Sequence, residues 1–350
     1  MFFYILLFFL VFLFSFCYTY AKNSSAAVCF KIITFLLLFL PSALRYGIGT
    51  DYKNYVRIFN EIKDGVDVSR IEIGWYLLNK GCIELGVNVQ WIFIISSFFT
   101  VYYMIKTPKK DFFVVIILFF CLFYLDSYNI TRQCLTMAIC WYAYLCFINE
   151  KKKKCYFYVT ISSLFHTSGL IILFCFFLID KLKVLRKKTV NIIIIGCFFL
   201  SYTNILMTIL CSLLSFTKYA VYFETFEYFN ELSGGFGNSV TLLFRTIILL
   251  YIFNFFVYTK NDKENKIIIY FLIILELFDV IALDFFMANR AKMLFYLSYL
   301  MIMMPIYKKN GDVIVKMKKF IIISFFILYY LVLKLITGAN AIVPYQMISF

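Results

Sequence analysis

"FFYILLFFLVFLFSFCYTY", Phe2 to Tyr20, runs for 19 residues without a charged side chain. At about 1.5 Å of rise per residue, such a helix spans roughly 28 Å, close to the thickness of a bilayer's hydrocarbon core. The run has no basic leader region and no small-residue cleavage site, so it reads as a retained span rather than a signal peptide. Comparable apolar runs follow at roughly 28–44, 89–105, 112–126, 133–149, 189–216, 238–258, 267–283, 285–306 and 320–337. With 63% hydrophobic residues and a mean hydropathy of +0.88, no stretch is polar enough for a soluble domain. Lipid admits only helices or closed barrels, and a barrel would show short alternating segments. The reading is an all-α polytopic membrane protein, residues 1–350 forming one integral membrane domain of roughly 10–12 spans.

The net charge of +15 does not indicate nucleic acid, because most Lys and Arg sit in short loops between spans. Basic clusters at 106–110, 151–154, 181–188, 260–266 and 307–319 mark the cytoplasmic side. The loops 217–237 and 338–350 carry little positive charge and are expected outside. Segment 155–180 breaks this alternation: both flanks are basic, yet it is only one span long. A chain that enters, turns at "FHTSG" (165–169) and returns resolves the conflict as a re-entrant segment, enclosed by protein or lining a wet cavity. "IEIGWYLLNKGCIELG" (71–86) is either a short span or an interfacial helix, which leaves the side of loop 45–72 open. No internal repeat is visible, against the repeat-built transporter folds.

Charged groups within spans are the exceptions that carry information, each costing about 2.5–3.5 kcal/mol at mid-membrane. Arg132, Arg245 and Arg290 all fall in the outer part of the membrane on this topology, which suggests an outward cationic cavity. A guanidinium stays charged and pairs bidentately with phosphate oxygens. The alternative is an ion pair with Glu276, Asp279 or Asp284 that merely holds the bundle together. His166, the single histidine, either serves as base or phosphate donor, or caps the turn through a ring nitrogen. Eleven cysteines lack CxxC or CxxH spacing and imply neither disulfides nor a metal site. No Walker loop, HExxH or GxSxG is present, and "LSGGFG" (232–237) reads as a glycine turn.

"RYGIGTDYKNY" (45–55), "TRQCLTMAI" (131–139), "FHTSG" (165–169), "NRAKMLFYL" (289–297) and "VPYQ" (343–346) resemble, in this order, the motifs of the EpsG family of Wzy-like exopolysaccharide polymerases. The resemblance spans nearly the whole chain. It implies a GT-C-like glycosyltransferase in the bacterial cytoplasmic membrane that joins lipid-linked repeat units at the outer face. Donor and acceptor would both be oligosaccharides on undecaprenyl diphosphate, membrane lipid would surround the enzyme, and a chain-length regulator is an expected partner. Loop 45–72 then faces outward. On this reading Arg132 and Arg290, with Arg245 and Arg45, cradle the diphosphate. Asp51, His166 or Glu72 is the base, and Tyr52, Tyr55 and Tyr345 meet sugars. No cofactor is implied. Gly47 and Gly49 would turn the chain sharply to present Asp51, unless Asp51 simply caps the following helix. A flippase of lipid-linked oligosaccharide, or a polysaccharide ligase, would want similar residues; the one-sided arginines and single-copy motifs favour the polymerase.

Overall fold

The structure is a computed structural model that describes the chain except residues 70, 204, 215–235, 257–261, 285–287, 305–312, 337, 339–340 and 349–350. Among the described residues there are helices and no strand, only an isolated antiparallel bridge between Arg45 and Met347. Three helices among the described residues have the length and composition to cross a membrane: Phe2–Tyr20, Ser24–Leu44 and Lys109–Tyr128. Shorter apolar helices include Gln90–Met104 and Leu242–Asn254. The protein is an all-α membrane protein. Its described residues form two compact units, Met1–Cys175 with Met303–Phe350, and Phe176–Ile302.

In the first unit, α1 (Phe2–Tyr20) packs on α2 (Ser24–Leu44) and α6 (Lys109–Phe119). The side chain of Asn23 opens α2, accepting from the backbone N–H groups of Ser25 and Ala26 at 2.8 and 3.3 Å. Near the other end, Pro41 sits inside α2, where the carbonyls of Leu38 and Pro41 accept from the Tyr124 and Tyr345 hydroxyls at 2.7 and 3.1 Å. Helix α6 continues through a π-turn at Phe120–Tyr124 and a 3₁₀ turn at Leu125–Tyr128. From Phe112 to Leu125 it is apolar on every side and almost wholly enclosed, as a helix stretch without a polar face must be.

The unit also holds α5 (Gln90–Met104), α7 (Thr131–Ile148) and α8 (Lys152–Phe165), with α7 packed on both others, and α16 (Val313–Tyr329), which packs on α6 and is extended by a π-helical stretch Tyr330–Ile336. Two short helices, α3 (Tyr52–Lys63) and α4 (Ile73–Glu84), share an aromatic core of Tyr52, Tyr55, Phe59 and Trp75 with Phe93 of α5. A 12-residue α4 is about 18 Å long, short of the roughly 30 Å needed to span. It therefore fits the non-crossing alternative for 71–86. The segment 155–180 is two helices, α8 and α9 (Ser168–Lys181), broken at His166–Thr167 within "FHTSG". The boundary between the two units falls inside α9.

The second unit holds α10 (Lys187–Leu200), α11 (Ile205–Leu214), α12 (Phe236–Phe256), α13 (Asp262–Asp284), α14 (Ala288–Phe295) and α15 (Leu297–Met303). Helix α13 packs on α10, α12 and α14. The amides of Asn191 and Asn254 exchange hydrogen bonds at 3.0 and 3.1 Å between α10 and α12. The run expected as one span over 189–216 is two helices. Hydroxyls of Ser201 and Thr203 donate to the carbonyls of Phe198 and Leu200 at 2.6 and 2.9 Å, a local pairing that competes with helix propagation. The run 285–306 is likewise divided, at Tyr296. The expected outward loop 217–237 lies, through residue 235, outside the described residues.

Candidate functional site

Two glycines decide how the "RYGIGTDYKNY" segment is laid down. Gly47 and Gly49 have φ of +66° and +94°, conformations that an L side chain resists. A Cβ on Gly49 would lie 2.5 Å from the carbonyl oxygen of Tyr128, so only glycine lets this loop press on the entry to α7. There the Asn129 amide oxygen accepts from the Thr50 hydroxyl at 2.8 Å and from the Asp51 backbone N–H at 2.7 Å. The C-terminal segment closes the other side. Tyr46 N–H donates to Gln346 at 3.1 Å, Ile348 N–H to Leu44 at 3.0 Å, and the Tyr4 hydroxyl to Ile342 at 2.6 Å. Hence the first and last motifs of the chain touch.

A third glycine brings α4 into place. A Cβ on Gly74 would stand 2.7 Å from the carbonyl oxygen of Leu164, near the end of α8. This backbone-to-backbone approach carries Glu72, the residue before α4, to the break between α8 and α9. One Glu72 oxygen accepts from Arg132 Nη1 at 2.6 Å and the other from the Thr167 backbone N–H at 3.2 Å. The starts of α4, α7 and α9 thus meet at one carboxylate. Burial pushes Glu72 up, but the Arg132 guanidinium, with the Thr167 N–H, outweighs this and holds it below the usual carboxylate value.

His166 Nδ1 lies 3.2 Å from the Ser168 backbone N–H and 2.7 Å from the Ser168 hydroxyl. A backbone N–H can only donate, so Nδ1 is the acceptor and the neutral ring carries its proton on Nε2. His166 therefore caps the start of α9 through a ring nitrogen and carries an N–H, not a lone pair, on its far side. Tyr55 packs its ring 6.0 Å from the Arg132 guanidinium. Burial raises its phenol, with Arg132 pulling it down and Asp51 pushing it up, so both charges act on this hydroxyl. Asp51 itself stands before α3, half-buried, and makes no side-chain cap to that helix.

The other expected residues are placed differently. Arg45 is fully buried, its guanidinium between the rings of Phe93 and Tyr128 at 4.5 and 5.3 Å. It donates to Thr131 Oγ1 at 2.8 Å and to the carbonyl of Ser42. Tyr52 stacks on Phe93 at 5.0 Å and Tyr345 on Phe3 at 4.1 Å, so these rings, with Tyr55, are held in protein packing. Burial raises the Tyr345 hydroxyl to about 12. Arg245 and Arg290 belong to the second unit. Arg245 Nη1 pairs with Asp279 at 2.9 Å, one of the pairings weighed from sequence, while Arg290 is exposed on α14. Two further buried charges were missed. Lys292 reaches the same Asp279 oxygen at 3.0 Å, and Lys334 binds both Asp126 oxygens at 2.6 and 2.7 Å. Lys334 is a lone charge in an apolar run, the same signal that singled out the arginines, whereas Lys292 stands two residues from Arg290 in the motif already quoted.

Among the described residues no group of acidic, histidine and cysteine side chains is arranged to hold a metal ion. The EpsG family profile matches residues 28–347, nearly the whole chain, and the protein belongs to the EpsG family, a Wzy-like polymerase family. No curated protein and no solved structure matches the chain. Membership places the protein among exopolysaccharide-related polymerases of glycosyltransferase-like role.

Proposed function

We propose that the protein transfers a growing glycan from undecaprenyl diphosphate onto a second lipid-linked repeat unit, at the outer face of the bacterial cytoplasmic membrane. The observation that carries this reading is the meeting of three helix starts at the Glu72–Arg132 pair. Helix N-termini present free N–H groups and a positive dipole end, a setting made for an anion. An arginine added there supplies a forked donor suited to phosphate oxygens.

Arg132 binds the diphosphate and takes up the charge that develops as it leaves. His166 adds its Nε2–H to the same oxygens. The acceptor hydroxyl oxygen attacks the anomeric carbon, and the bond from that carbon to the diphosphate oxygen breaks with its electron pair going to the diphosphate. The hydroxyl proton passes to Glu72, the carboxylate already at the site, with Asp51 the alternative base. Arg45 lies too deep to meet substrate and holds the start of α7 instead. The break at His166–Thr167 is the turn of the re-entrant segment, enclosed by α4 and α7. The test is deletion at the native polysaccharide locus, complemented by Arg132→Gln at matched protein level. Loss of one charged donor to a leaving group costs about 10²–10³ in rate, so single repeat units should accumulate outside the membrane. Full-length polymer from that variant would contradict the assignment.

A further inference from the structure

Glu72 occupies the place where an anion belongs. Its two oxygens take the donors of Arg132 and Thr167, at the point where three helices begin. The guanidinium is nonetheless not saturated: Nη1 alone is engaged by Glu72 and the Tyr55 hydroxyl bonds the same group, while the buried Nε of Arg132 has no partner. Arg132 remains part-exposed, its side chain at 19%, so the site stays open to a competitor. A diphosphate brings more charge than a carboxylate and a wider spread of oxygens, and it can engage the fork bidentately.

We infer that the donor's diphosphate displaces Glu72 from Arg132, and that this exchange is what frees Glu72 to act as the base. The inference rests on the proposed role of Arg132 and adds an order of events to it. Before donor binds, the carboxylate is tied up and the acceptor hydroxyl meets no free base. After binding, the guanidinium neutralises phosphate charge, and Glu72 turns to the acceptor. The proton then moves from the hydroxyl to Glu72 only when a leaving group is in place. An acceptor that arrives before the donor thereby finds no free base, and proton transfer waits for the leaving group.

The test uses the full-length protein in detergent, with undecaprenyl diphosphate as the probe. Glu72→Gln keeps a carbonyl oxygen for the Thr167 N–H but removes the competing charge. It should bind the probe roughly three- to tenfold more tightly than wild type while making no polymer from lipid-linked repeat units. Arg132→Gln should bind it at least tenfold more weakly. Glu72→Asp, which retains the charge on a shorter arm, should bind between wild type and Glu72→Gln. Weaker or unchanged binding by both Glu72 variants, with binding still lost in Arg132→Gln, would overturn the exchange and leave the diphosphate site standing. Undiminished binding by Arg132→Gln would overturn the site itself.

Discussion

Glu72 keeps its charge in a half-buried place because Arg132 stands 2.6 Å away, and this pair links folding to pH. The carboxyl is held below its ordinary value in the folded protein, so the unfolded chain binds the proton more readily. Its stabilising contribution is therefore complete above the unfolded value and disappears as pH falls through the folded one. Thermal melts of the wild type should lose more ground than those of Glu72→Gln between about pH 5 and about pH 3. Parallel curves would mean that Arg132 does not lower Glu72. The sequence marked Arg132 as a charge within a span and His166 as the single histidine, while Asp51 and Glu72 entered as base candidates through the family resemblance. It could not pair Arg132 with Glu72, 60 residues apart, because that contact depends on Gly74 meeting Leu164. Nor could it reveal that Tyr52 and Tyr345 spend their rings on Phe93 and Phe3.

Helix ends, more than helix middles, build this protein's chemistry. Gly74 lets the start of α4 reach the end of α8, and a methyl there would push against backbone rather than a movable side chain. Gly74→Ala should thus shift Glu72 away from Thr167 and Arg132, lowering polymer yield about tenfold or more, as small displacements of reacting groups do. A wild-type yield would show that α4 does not set the site. The ion pair of Lys334 and Asp126 ties the π-helical extension of α16 to the 3₁₀ turn that feeds α7. Removing one partner leaves a buried charge alone, so Lys334→Met should cost about 3–5 kcal/mol, and adding Asp126→Asn should return much of it. Additive losses, with the double variant losing as much as the two single variants together when measured by denaturation in detergent, would show the two residues to be uncoupled. Apolar runs announced most of the helices; the breaks at Ser201 and Tyr296 escaped notice because local hydroxyl and backbone pairings leave hydropathy unchanged.

Across the molecule, the family assignment and the geometry bear on different questions. The profile over residues 28–347 gives the class of protein, while the meeting of α4, α7 and α9 in the first unit is where the proposed diphosphate would sit. That place draws on "TRQCLTMAI", "FHTSG" and the residue before α4, with the loop of "RYGIGTDYKNY" and the C-terminal "VPYQ" braced alongside. The motif order was legible from sequence; their three-dimensional meeting was not, since helix packing rather than spacing brings residue 72 to residue 132. In the second unit, the charge cluster of Arg245, Asp279 and Lys292 has its own internal pairing. The most direct test of the central claim is polymer synthesis by purified protein in liposomes, supplied with one lipid-linked repeat unit and resolved as a ladder. The account predicts a ladder from wild type and only the starting unit from Arg132→Gln, with the variant equally well folded. A ladder of ordinary length and rate from Arg132→Gln would contradict it.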